Sequence, residues 1–158
     1  MIKIKKIILT TLLGFVLVGC EIKRGAFLET IESENDLPTT VAKFMSTIKA
    51  QKLTHFGTID HSKNANNAGL RLKPETVVIF GNLKMATKLM QCNPSIGLDL
   101  PLRMLFSTNY ENKTTITYTN PEYWSLKHNI KDKTCLEIIK KANIALQNLA
   151  ENAAKNNK

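Results

Sequence analysis

The segment Thr76-Val77-Val78-Ile79-Phe80 constrains this chain most: an unbroken β-branched and aromatic run stopped by Gly81-Asn82. Without polar alternation, such a run reads as a central strand buried on both faces. It needs partners, and the flanking patterns supply them. Gly25 to Ser33 and Thr54 to Asp60 read as strands, and Leu102 to Ser107 and Thr114 to Thr119 as a hairpin around Asn109-Tyr110-Glu111-Asn112-Lys113. Val41, Phe44, Met45 and Ile48 fall at i, i+3, i+4 and i+7, the stripe of a helix packed on a sheet. Asp36 or Thr39 can cap that helix, with Pro38 in its first turn. The Asn-rich stretch His61 to Gly69 reads as a loop or short helix, and Leu83 to Gln91 as a second helix. A final helix from Thr134 to Ala154 has its buried side marked by Leu136, Ile139, Ala142, Leu146, Leu149 and Ala153. The order β-α-β-β-α-β-β-α predicts a single α+β domain with helices packed on a mostly antiparallel sheet.

Its 158 residues suit one domain, and 43% hydrophobic content excludes a wholly disordered or collagen-like chain. The N-terminus stands apart. Lys3, Lys5 and Lys6 precede the apolar run Ile7 to Val18, too short for a membrane span of roughly 20 residues but suited to a secretory signal peptide. The run ends in Leu17-Val18-Gly19-Cys20, which resembles the lipobox of bacterial lipoproteins. That resemblance implies cleavage before Cys20 and diacylglycerol on its thiol. Glu21 follows, rather than the Asp that retains such proteins at an inner membrane. The expected division is a signal peptide over 1–19, a short tether over 20–24, a domain over 25–154 and a disordered tail over 155–158. The expected location is the cell envelope, with the domain held at the membrane through Cys20 and facing the periplasm or exterior.

This placement reinterprets the charge. The chain carries +9, but three lysines and no acidic residue lie in the first 19 positions, which leaves +6 after cleavage. The remaining basic residues are scattered, and no aromatic ladder is interleaved with them, so a nucleic-acid partner is not expected. A solvated basic surface attracted to anionic headgroups is.

Further along, Ile59-Asp60-His61, Leu72-Lys73-Pro74, Val78-Ile79-Phe80-Gly81-Asn82, Thr87-Lys88-Leu89-Met90 and Gly97-Leu98-Asp99-Leu100-Pro101-Leu102 occur in that order. Tyr118, Asn120-Pro121-Glu122-Tyr123 and Lys127-His128-Asn129-Ile130 follow. Together they resemble the signature of the family called domain of unknown function 302. The resemblance implies a small α+β fold of the TATA-binding-protein-like class and assigns no activity. Leu83 stands where that family usually has proline, Met85 where glycine is common, and Glu111-Asn112-Lys113 replaces the usual Asp-Gly of the hairpin.

Few residues announce chemistry. His55, Asp60 and His61 form the His/carboxylate cluster of the sequence, too sparse for the four ligands of a structural zinc site. Asp60-His61 reads either as an acid–base pair or as the cap of a strand end. Gly81-Asn82 ahead of a helix suits an anion, or a turn in which Gly adopts positive φ and Asn caps. Thr87 adds a hydroxyl on that helix, and Asp99 precedes Leu100-Pro101 at a strand start. No nucleotide loop or metal motif is present, so no cofactor or metal is expected. Cys92 and Cys135 remain after Cys20 is assigned to lipid. In an oxidising compartment they form a structural disulfide or stay as free buried thiols. The reading with most support is a tethered domain binding a small ligand or an envelope protein, or pairing as a homodimer. Its pocket is expected to be lined by His61, Asn82, Thr87 and Asp99. The alternative is an enzyme using Asp60, His61 and Asp99.

Overall fold

The computed structural model describes residues 27–156; the expected signal peptide, Cys20 and the expected tether lie outside them. The elements run β1 (Leu28–Glu32), α1 (Leu37–Ala50), β2 (Thr54–Asp60), α2 (His61–Asn67), β3 (Glu75–Gly81), α3 (Leu83–Cys92), a 3-10 turn (Pro94–Leu98), β4 (Leu102–Thr108), β5 (Thr114–Thr119), α4 (Tyr123–Lys127) and α5 (Lys133–Ala154). The five strands form one sheet in the order β1-β5-β4-β3-β2, antiparallel throughout. The α+β class read from the sequence is therefore present, with α4 and the 3-10 turn added.

Local chemistry explains the boundaries. Asp36, rather than Thr39, caps α1: its Oδ1 accepts from Thr39 N–H at 2.9 Å, and Pro38 occupies the first turn. Asp132 caps α5 in the same way, accepting from Cys135 N–H at 3.0 Å. In the β4–β5 connection Asn109 Oδ1 accepts from the N–H groups of Glu111 and Lys113, at 3.0 and 2.9 Å. Asn112 adopts φ 61°, taking the left-handed position that glycine usually fills. Lys155 and Asn156, at the start of the segment expected to be a disordered tail, are held instead: Asn35 Nδ2 donates to Lys155 O, and Asn156 N–H donates to Glu34.

β3 departs from expectation. Val78 and Phe80 are fully buried beneath α1 and α5, but Val77 and Ile79 are only half-buried. The strand pleat sends alternate residues to opposite faces, and the face bearing Val77, Ile79 and Leu105 is only partly covered. The unbroken apolar run thus serves one packed face, not two. In α5 the buried stripe is Cys135, Ile138, Ile139, Leu146, Leu149, Ala150 and Ala153, while Leu136 is 38% exposed. Cys135 holds the inward position that the periodicity assigns to Leu136.

The buried side chains fall into two clusters. One joins Phe44, Ile48, Val78, Phe80, Met104 and Phe106 to the C-terminal half of α5. The other, smaller, joins Leu89, Ile96, Trp124 and Ile130 to the N-terminal half of α5. Leu102 packs against both. A disulfide between Cys92 and Cys135, with Cα atoms 6.4 Å apart, ties the end of α3 to the start of α5 beside the smaller cluster.

Candidate functional site

The gap between the two clusters is a cavity of about 420 Å³, within the range of roughly 300–1,000 Å³ typical of small-molecule sites. Phe80 and Leu149 wall it from the larger core, and Leu89, Trp124 and Ile138 from the smaller. Three local features shape it. Leu100 and Pro101, joined by a cis peptide just before β4, both line it. A register shift between His55 and Gly57 inserts Phe56 as an extra residue in β2, and its ring stands at the cavity, 47% exposed. Gly81 ends β3 there: a Cβ on it would lie 3.8 Å from the Phe56 ring and 4.0 Å from Pro101. Its φ is not positive, contrary to the turn expected from Gly81-Asn82. Apart from Asn82 and Lys141, every lining residue is apolar or glycine.

Of the four residues expected to line a pocket, the structure brings only Asn82 to this one. Asn82 caps α3, with Oδ1 accepting from Met85 N–H at 3.0 Å. Thr87 is exposed and its hydroxyl donates to Leu83 O, one turn earlier in the same helix. His61 is the first residue of α2, and Asp60 caps that helix by accepting from Ser62 Oγ and Lys63 N–H at 2.6 and 2.8 Å. Those two bonds, the Ser62 hydroxyl first, hold the Asp60 carboxyl below its usual range. His55 bonds to Thr58 on its own strand, at 2.9 Å. Asp60 and His61 therefore meet each other's neighbourhood but not Asp99. Among the described residues no group of three or more His, Cys, Asp or Glu is placed to hold a metal ion.

Asp99 has other partners. Its Oδ2 lies 2.5 Å from His128 Nε2, its Oδ1 accepts from Lys127 Nζ at 2.9 Å, and His128 Nδ1 lies 2.7 Å from Ser95 Oγ. Asn93 completes the group, donating to His128 O at 2.8 Å. Hydroxyl, imidazole and carboxylate stand in the order of a proton relay, yet none of the three residues lines the cavity. What they do is staple the 3-10 turn to the end of α4, which fixes the Gly97-to-Pro101 wall of the cavity. Partial burial acts to raise the Asp99 pKa, but the bonds from Lys127 and His128 outweigh it and hold the carboxyl below its ordinary value. With the folded value below the unfolded one, the pair's stabilisation is complete above the ordinary carboxylate range near pH 4 and lost as pH falls through the folded value. Urea midpoints measured across pH 2 to 6 should therefore show an acid limb that is shallower in Asp99→Asn; superimposable limbs would remove Asp99 from the acid response.

Sequence reasoning missed most of the lining. The signal was present in α3, where Met85, Ala86, Leu89 and Met90 repeat at i, i+1, i+4 and i+5. This is a broader stripe than one packed helix face needs, and only Leu89 of it is fully buried.

A single α+β domain with an apolar cavity between two cores is thus the class this chain presents. Residues 29–152 match the family described as Domain of unknown function DUF302, and the chain belongs to that family. A crystal structure of an uncharacterized conserved protein DUF302 from Bacillus stearothermophilus shares the fold, with a TM-score of 0.73 at 16% identity over 82% of this chain and 99% of that one. The fluoride-specific ion channel FluC 1 of Brucella suis biovar 1 (strain 1330) is 34% identical over 103 residues, which cover 65% of this chain and 41% of the channel. Its counterpart from Brucella abortus biovar 1 (strain 9-941) is also 34% identical over 103 residues, covering 38% of its own length. The chain spans about two-fifths of these relatives. Among its own described residues no helix is long and apolar enough to cross a membrane.

Proposed function

We propose that this chain is a lipid-anchored protein of the cell envelope whose domain binds a small apolar ligand between its two cores. The observation that carries the reading is the 420 Å³ cavity, whose lining offers almost no polar group. The recess opens to solvent past Phe56 and Leu83, so an apolar space of this size is accessible room for a guest. Two further facts support the address: the Leu17-Val18-Gly19-Cys20 segment, and a disulfide of the kind that persists outside reducing compartments. Binding is favoured over catalysis because Asp60 is engaged in a helix cap and Asp99 in a staple, and neither they nor His61 line the cavity.

The test uses the full chain and the apolar dye N-phenyl-1-naphthylamine. Its fluorescence should rise on binding, and Ala86→Trp, which fills the cavity from α3, should weaken binding by at least tenfold. Ala142→Phe, reaching in from α5, is an independent plug should the first variant fold poorly. Dye that binds both plugged proteins as tightly as the native one would reject the cavity as the site. Mass spectrometry of the membrane fraction tests the anchor separately: a diacylglyceryl adduct on Cys20 is expected, and an unmodified chain that begins before Cys20 contradicts it.

A further inference from the structure

The sheet register places the cavity at one end of the molecule. Phe80 pairs with Leu102, Thr54 with Gly81 and Leu28 with Thr119, so β3 and β5 end where β1, β2 and β4 begin. Phe80, Gly81 and Leu102 line the cavity, so it lies at that end. The chain enters there too. Phe27 immediately precedes β1, and its ring stacks on Tyr123 with centroids 4.7 Å apart; Trp124, next in sequence, lines the cavity. Phe27, Leu28, Phe56 and Leu83, from three different parts of the chain, expose 42–60% of their surface at this end. Cys20 is seven positions before Phe27, a reach of at most about 25 Å for an extended chain. A domain anchored through Cys20 would hold its cavity end near the bilayer.

The lining adds a second fact. Lys141 is its one ionisable side chain, exposed on α5, and among the described residues no carboxylate lies within ion-pairing distance of it. Asn82, the other polar lining residue, is occupied in capping α3. An apolar cavity bordered by one exposed lysine without a carboxylate partner matches an amphiphile with an apolar tail and an anionic head. We infer that the cavity takes the acyl chain of an anionic lipid, with Lys141 holding the head group. The inference rests on the ligand-binding reading above and names its ligand class.

Two sources share this chemistry, a free fatty acid and an acidic phospholipid. The experiment presents three diazirine-tagged probes to membranes containing the full chain: a fatty acid, its methyl ester, and phosphatidylglycerol in vesicles. Peptide mass spectrometry then locates the label. The acid or the phosphatidylglycerol should label α3 and the Leu100–Pro101 segment, and whichever does so is the source. The methyl ester should label at least tenfold less, Lys141→Ala should reduce the acid to the level of the ester, and Lys141→Arg should restore it. In competition by untagged acids, each two-carbon lengthening should tighten binding by about fifteenfold until the cavity is full. Equal labelling by acid and ester, abolished by Ala86→Trp, would overturn the role of Lys141 and keep the cavity as an apolar site. Labelling of all probes outside the cavity, or no dependence on chain length, would overturn the lipid ligand altogether. Dye binding measured on the same preparation shows whether the ligand-binding reading falls with it.

Discussion

Removing the Cys92–Cys135 disulfide is expected to lower the stability of the domain by about 4 kcal/mol, with a melting temperature roughly 10–15 °C lower. The bridge closes a sequence separation of 43 residues. On the chain-entropy account, a loop of that size restricts the unfolded ensemble by about that amount. The loop contains the 3-10 turn, β4, β5 and α4, so its closure holds the whole smaller core in register against α5. Half-buried Cys92 and buried Cys135 pack in that core, so Cys92→Ala/Cys135→Ala also trims its contacts slightly. Guanidinium unfolding with and without reductant isolates the bridge from the substitution. Titration of thiols in denatured, unreduced protein should find none at Cys92 or Cys135. A reductant effect below about 1 kcal/mol would show that the smaller core stands without its staple.

How much of this was legible in the sequence depended on how far apart the interacting residues lie. The helices α1, α3 and α5 and the β4–β5 hairpin follow from spacings of three, four or two residues, and the chain displays those directly. Asn82 was identifiable as a cap because its partner, Met85, is three residues away. The side chains around Asp99 were not identifiable: Lys127 and His128 lie 28 and 29 residues downstream, and only the antiparallel return through β4 and β5 brings them back. Asp60-His61 reads as an acid–base pair or a cap, and the structure has Asp60 capping α2 through Oδ1, which accepts from Ser62 Oγ and Lys63 N–H. The cavity was the hardest feature to read. It depends on the bulge at Phe56 and on the separation of two cores, and neither leaves a periodic trace. The exposure of Val77 and Ile79 is of the same kind, since a run of β-branched residues says that a strand forms but not how many layers cover it.

Phe80→Ala tests whether the cavity and the larger core share a wall. Phe80 is fully buried, meets Phe44 edge-to-face with centroids 5.0 Å apart, and lines the cavity on its other side. Truncating a buried phenylalanine costs about 3–5 kcal/mol through lost transfer energy and the void left behind. Against a typical total of about 5–15 kcal/mol the variant remains folded, but only marginally. The informative comparison is Phe106→Ala. Phe106 is equally buried and packs on the same Phe44 ring at 5.1 Å, but it is not part of the lining. Both variants should lose stability to a similar extent in urea, whereas dye binding should change only for Phe80→Ala, where the new void joins the existing one. A bound apolar probe should then recover part of the lost stability of Phe80→Ala by mass action, because it fills space that only the folded state offers. Equal effects on dye binding from the two substitutions would mean that the ring of Phe80 does not separate core from cavity. The ligand-binding reading would then have to rest on the α3 and α5 walls alone.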